Sequence, residues 1–189
     1  MQRGVPLLLR QTRHMAGVYH FVALLHLAAR RAGHQVRSWE VGAWCERRYR
    51  DHGSWHNLRP DAAFEYVAGT SVRRAWVEWD VGTMTGAVLA IKMQAYAHYV
   101  RSREWARELR ALPTLLVIAP GPGQEERIRQ VAHFCVEAGL QVRITTATRL
   151  EQHGPSAAIW LDPARSTPEG TRCLWYAVQK ETDLQGVAL

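Results

Sequence analysis

The chain has 189 residues, 47% of them hydrophobic and 22% charged: enough for one real core, and not so many that a second domain is required. Its three cysteines, Cys45, Cys135 and Cys173, are odd in number and form no C-x-x-C pair, which argues against a disulfide framework or a zinc knuckle and for a reduced, cytoplasmic protein. A formal net charge of +7 with a pI near 9.8 suits a polyanionic partner, though an ordinary arginine-rich solvated face gives the same number.

Val5 to Leu9 is too short for a signal peptide and is followed by Arg10 and Arg13, while Val18 to Ala29 is too short to span a bilayer and contains His20 and His26. Val18, Phe21, Val22, Leu25 and Ala29 recur at helical spacing, so residues 15–33 read as the first helix, ending at Arg30-Arg31 before Gly33. No acid precedes Glu40, whereas Arg3, Arg10, Arg13, Arg30, Arg31 and Arg37 do; this basic third can lie against phosphate. Residues 35–58 are read as containing a short helix that carries Glu40 or Glu46. Arg59-Pro60 forces an extended approach to a strand at Ala62 to Val67, and Val72 to Val81 is its hairpin partner. Met84 to about Arg110 reads as the long helix. A buried parallel-type strand follows at Thr114 to Ala119, then a helix from Gln124 to Ala138, a strand from Gln141 to Thr146, and a late strand pair at Ala157 to Leu161 and Cys173 to Val178. The helix–strand order is that of an α/β layered domain: one unit over 1–189, with its core at about 14–150 and a strand-rich extension over 151–189.

The chemistry concentrates in an acid–acid–lysine series. Glu78 and Asp80 lie two apart on one strand and project to one face, and Asp61 can face them across the hairpin. Hard oxygen ligands of this kind suit Mg2+ or Mn2+, which polarises a phosphate and orients a water. Of the 24 Lys and Arg residues only Lys92 and Lys180 are lysines, leaving 22 arginines. A lysine inside an apolar helix, where arginine is the default cation, suggests a task for a compact ammonium: orienting or deprotonating water, or stabilising phosphate charge. A snorkelling side chain with an exposed tip is the structural alternative. Tyr96 lies one turn along the same face, and Tyr99 two. Histidines 14, 20 and 26 read as surface or core-edge residues, and Gly121-Pro122-Gly123 as a turn, since no Gly-Lys-Ser/Thr follows. Arg103, Arg107 and Arg110 at helical spacing are the candidate DNA-backbone contacts, with Glu104 and Glu108 between them.

Leu58-Arg59-Pro60-Asp61-Ala62, then Val77-Glu78-Trp79-Asp80-Val81-Gly82-Thr83, then Lys92 followed by Tyr96 resembles the replication-relaxation family, whose catalytic-like domain is similar to the PD-(D/E)XK nucleases. The resemblance runs from about His14 to Ala132. It implies a restriction-endonuclease-like core, a mixed central sheet flanked by helices, with Asp61 and Glu78 as metal ligands and Asp80 beside them. A glutamate near the first helix, Glu40 or Glu46, joins them; Glu40 is the nearer. The lysine expected two residues after Glu78 is replaced by Asp80, and Lys92 is placed to supply that charge from the helix. The family is associated with plasmid replication and often has an upstream winged-helix segment, for which this chain begins too late; a homodimer or a winged-helix DNA-binding partner is the implied association.

The expected function is a metal-dependent DNA endonuclease or nickase in plasmid or mobile-element replication. The competing one is a catalytically silent nuclease fold serving DNA binding or assembly, which Asp80 favours and Lys92 disfavours. Neither the basic face nor the acid series recommends a small-ligand α/β domain.

Overall fold

The computed structural model describes residues 7–164. The first helix, α1, spans Leu7–Arg31. It buries Val18, Phe21, Val22, Leu25 and Ala29, the stripe expected from their spacing. It begins about two turns earlier than its apolar periodicity indicates.

The segment after α1 differs from the expected short helix. Strand β1, Gln35–Val41, carries Glu40, a single 3-10 turn covers Gly42–Cys45, and strands β2, Arg47–Asp51, and β3, Ser54–Leu58, form a separate antiparallel ribbon. The ribbon turns through His52 and Gly53, both at positive φ (45° and 84°), the backbone that a tight two-residue hairpin requires. The alternation that makes β2 a strand is hidden because only Tyr49 among its five residues is buried.

Strands β4, Ala62–Ala68, and β5, Ser71–Trp79, form the expected hairpin, antiparallel with Ala62 opposite Val77. Helix α2 covers Gly86–Ser102 and begins at Thr85, whose hydroxyl accepts from the Val88 amide. It stops a full two turns before the sequence suggests. Arg103 adopts a left-handed conformation (φ 58°), and the Trp105 indole N–H donates to the Val100 carbonyl at 3.0 Å, satisfying a carbonyl at the helix end. A 3-10 turn follows at Glu104–Arg107.

Strand β6, Thr114–Ala119, pairs parallel with β5 as expected. Helices α3, Pro122–Val131, and α4, His133–Glu137, replace the single helix read from sequence and break at Ala132. Strand β7, Val142–Thr146, is parallel to β6, and α5 spans Ala147–His153. Of the late strands, Ala157 to Leu161 shows an isolated bridge from Leu161 to Ile144 among the described residues; Cys173 to Val178 lies outside them.

The result is the expected mixed sheet flanked by helices, in order β1-β4-β5-β6-β7. One face packs on α1 and α5 through Phe21, Phe64, Val77 and Trp160; the other packs on α2, α3 and α4 through Trp76, Met93, Val117 and Ile128. No helix among the described residues is long and apolar enough to cross a membrane. Cys45 and Cys135 are buried and free, and burial pushes their thiols up to about 11 and about 12.

Gly17 lets α1 lie directly on the Trp79 indole, inside the space any Cβ would occupy. Gly17→Ala would gain about 1 kcal/mol of helix propensity, but overpacking costs about 1–3 kcal/mol and is at its upper end where a Cβ would fall on the ring atoms themselves. A net loss of about 1–2 kcal/mol is expected, seen as a lower Tm; an unchanged or higher Tm would show that α1 does not pack this tightly on β5.

Candidate active site

Asp61 sits one residue before β4, and its amide donates to the Val77 carbonyl at 2.9 Å. The β4–β5 register places it opposite Glu78. β5 is the middle strand of the sheet, with β4 on one side and β6 on the other, so Glu78 is only 2% exposed. Lys92 and Tyr96 are four residues apart on α2 and share the face that packs over β5. Tyr96 donates its hydroxyl to Glu78 Oε1 at 2.5 Å, and the Lys92 ammonium forms an ion pair with Glu78 Oε2. The Asp61 and Glu78 carboxyl groups are near enough for each to shift the other's ionisation, within the roughly 8 Å that two carboxylates on one magnesium can span.

The rest of the Asp61 environment was not visible in the sequence. Its Oδ2 accepts from the Trp79 amide at 2.8 Å and lies 2.9 Å from His14 Nε2. His14 comes from α1, one turn before the buried Val18; that phase was the available signal, because it aims the ring at the sheet. His14 occupies the place expected of an α1-side glutamate. Glu40 instead lies on β1 opposite Ala63, pairs with Arg47 at 2.9 Å and lines a separate cavity of about 140 Å³. Glu46 is exposed. Neither glutamate joins the pair.

Asp80 departs from expectation as well. Its Oδ1 accepts from the Gly82 amide at 2.8 Å and its Oδ2 from the Gln124 side chain at 2.6 Å. Asp80 therefore ties the β5–α2 turn to α3, and Gln124 is a second residue the sequence did not reveal. Its charge still reaches Lys92, but among the described residues no three His, Cys, Asp or Glu side chains form a metal-holding group. Of the three acids, Asp61 and Glu78 are neighbours, while Asp80 is turned to Gly82 and Gln124. Tyr99 packs on Trp76 and Tyr49 rather than on the acids.

The electrostatics follow from burial and proximity. For Asp61, burial acts against ionisation, yet the His14 hydrogen bond, the Lys92 charge and the neighbouring Glu78 carboxyl together hold its carboxyl below the usual range. Glu78 is pushed up to about 8, mainly by burial, with Asp61 adding to the rise and Lys92 opposing it. Burial disfavours the Lys92 ammonium, but Glu78 and Asp61 outweigh it and raise its pKa. Near neutrality the pair of carboxyls therefore holds one proton between them beside a charged ammonium. Burial first, then the Glu78 charge, drives Tyr96 well above its ordinary value, so it acts as a hydrogen-bond donor.

Asp61 faces a cleft of about 490 Å³ whose other walls include Gln11, His14, Arg59 and Thr83. Arg59 is exposed at its rim. The arginines expected to bind DNA lie elsewhere. Arg103 follows the end of α2, Arg107 pairs with Glu104 at 2.7 Å, and Arg110 is beyond the 3-10 turn; the helical face that joined them does not exist. Eleven residues separate Arg103 from Lys92, roughly 16 Å along a helix.

The sequence model of the replication-relaxation family matches residues 7–115, a segment holding α1, Asp61, Glu78, Lys92 and the start of β6. The chain belongs to the replication-relaxation family. Among curated proteins none matches it. Among solved structures, the FokI restriction endonuclease bound to DNA is similar at a TM-score of 0.37 and 14% identity, over 58% of this chain and 21% of that one. The chain thus spans about a fifth of FokI, and at that score the likeness decides nothing about the site of this family member.

Proposed function

We propose that this chain is a Mg2+- or Mn2+-dependent DNA phosphodiesterase, an endonuclease or nickase, acting in plasmid or mobile-element replication. The observation that carries the reading is the Asp61–Glu78 carboxyl pair with the Lys92 ammonium seated on Glu78. Membership of a replication family supports DNA as the partner. Two adjacent carboxylates are the hard oxygen donors that magnesium takes from proteins, so Asp61 and Glu78 fit as its ligands and Asp80 is not needed. When bound there, the ion supplies Lewis-acid polarisation of a phosphate oxygen.

The remaining tasks belong to the chain. His14 and the Trp79 amide fix the Asp61 carboxylate toward the cleft, so that its geometry is set before substrate arrives. Tyr96 fixes Glu78 from the opposite side. Lys92, held as an ammonium, is suited to stabilising charge on phosphate rather than to accepting a proton from water. Arg59 at the rim is suited to gripping a backbone phosphate.

The second reading, a silent nuclease fold that binds DNA or assembles replication complexes, is favoured by one observation. Asp80 stands where a lysine is expected and is committed to Gly82 and Gln124. Supercoiled plasmid incubated with the protein separates the two. Conversion to nicked or linear forms with Mg2+ or Mn2+ and none with chelator supports the enzyme; binding without conversion in either metal supports the silent module. In both cases DNA affinity is expected to fall steeply as salt rises, and salt-independent binding would count against a DNA-backbone partner.

A further inference from the structure

The β2–β3 ribbon has two unlike faces. The inward one faces the protein: Arg47 pairs with Glu40 at 2.9 Å, Asp51 with His98 of α2 at 2.8 Å, and Tyr49 is buried against Tyr99 at 5.4 Å between ring centroids. The outward one carries Arg48 and Asn57 opposite each other and Arg50 opposite Trp55. No acid lies at these positions, though Glu46 precedes β2, and neither Arg48 nor Arg50 has an ion pair among the described residues. The Arg48 guanidinium lies 4.4 Å from the centroid of one Trp55 ring face, holding an indole that is still 57% exposed; nearby in sequence, before the ribbon, Trp44 is 81% exposed.

Exposed indoles beside arginines that have no acidic partner offer a surface complementary to something both apolar and anionic. A single nucleic-acid strand has both properties, with bases that stack on aromatic faces and phosphates that meet arginine. In a duplex the base faces are already stacked, so exposed indoles gain little there. The ribbon's position adds direction, because β3 ends at Leu58 and leads straight through Arg59-Pro60 to Asp61 at the cleft.

We infer that the β2–β3 ribbon is a single-stranded-DNA-binding arm that guides a strand over Arg59 to the Asp61 cleft. Trp55 and Trp44 stack on bases, and Arg48 and Arg50 hold phosphates. The inference rests on the DNA reading given under the proposed function.

The test is fluorescence anisotropy of the full chain with a dye-labelled 20-nucleotide single strand and with the matching duplex, in chelator so that nothing is cut. The wild type is expected to bind the single strand more tightly than the duplex. Trp55→Ala is expected to weaken single-strand binding by about tenfold, the scale of one lost base stack, and Trp55→Phe to restore most of it by keeping a ring. Arg48→Ala with Arg50→Ala should weaken binding and flatten its salt dependence, while Arg129→Ala on α3 should change neither. Unchanged single-strand affinity in the Trp55→Ala and double-arginine proteins would overturn the arm and leave the DNA reading standing. Equal or tighter duplex binding by the wild type would overturn the single-strand assignment. Failure of the wild type to bind either DNA would overturn the arm and the DNA reading together.

Discussion

Lys92→Ala is expected to lower the rate of DNA cleavage by about 100-fold or more, the usual effect of removing one donor that stabilises transition-state charge, while the fold and most DNA affinity persist. The fold persists because of the charge state around Glu78. Deleting one partner of a buried pair of fixed charges costs about 3–5 kcal/mol, since a bare ion is left behind. Here Glu78 is already pushed up to about 8 by burial, and losing the opposing effect of Lys92 pushes it higher, so at neutral pH it remains a neutral acid held by Tyr96. Lys92 is itself 28% exposed, so its removal admits water rather than opening an apolar cavity. With Glu78 neutral, a loss of about 1 kcal/mol, the scale of one hydrogen bond, is expected. Lys92→Arg is expected to fail equally, because a planar fork does not take the place of a compact ammonium against one carboxyl oxygen. Time courses of plasmid nicking, with anisotropy for affinity and denaturation midpoints for stability, check all three parts. Undiminished nicking by the alanine protein would remove Lys92 from the chemistry.

Glu78→Gln is expected to abolish cleavage and, at the same time, to stabilise the metal-free protein at alkaline pH. In the unfolded chain Glu78 loses its proton near its ordinary value of 4.5, whereas in the folded protein it keeps it to about 8. Between those values the folded state binds the extra proton, so wild-type stability falls as pH rises through the window. Glutamine carries no such proton and its curve is flatter there. The variant should therefore match the wild type near pH 4 and exceed it near pH 8, measured as denaturant midpoints in chelator. Asp61 runs in the opposite sense: its depressed pKa contributes stability that is lost as pH falls below its ordinary 3.8, outside this window. The raised Lys92 pKa adds stability that is lost only as pH climbs past its ordinary 10.5. Parallel curves for the two proteins between pH 4 and 8 would show that Glu78 is not held protonated by burial.

The central strands were legible because their residues repeat the physics of their surroundings. β6 is a continuous apolar run, as a strand covered on both faces must be. Pro60 sets the approach to β4, and antiparallel pairing then puts Asp61 opposite Glu78. Lys92 and Tyr96, one helical turn apart, could only converge on the same acid. The remainder depended on information that local pattern does not hold. β2 and β3 bury one residue each, Tyr49 and Leu58, so no alternation of apolar residues announced them. α2 ends where an arginine takes a left-handed conformation, a position normally signalled by glycine, and a tryptophan two residues later secures it. His14 reaches Asp61 across 47 residues and Gln124 reaches Asp80 across 44. Both contacts arise from the packing of helices onto the sheet, and both decided the site's composition: one supplied a partner for Asp61, the other withdrew Asp80 from the acids.

The most direct measurement is the conversion of supercoiled plasmid by the wild type and by Asp61→Asn, side by side in Mg2+ and in chelator. The account predicts nicked or linear product from the wild type in Mg2+ alone, with Asp61→Asn binding the plasmid but leaving it supercoiled. Equal conversion by both proteins, or conversion by the wild type that persists in chelator, would contradict a metal-dependent site built on Asp61 and Glu78.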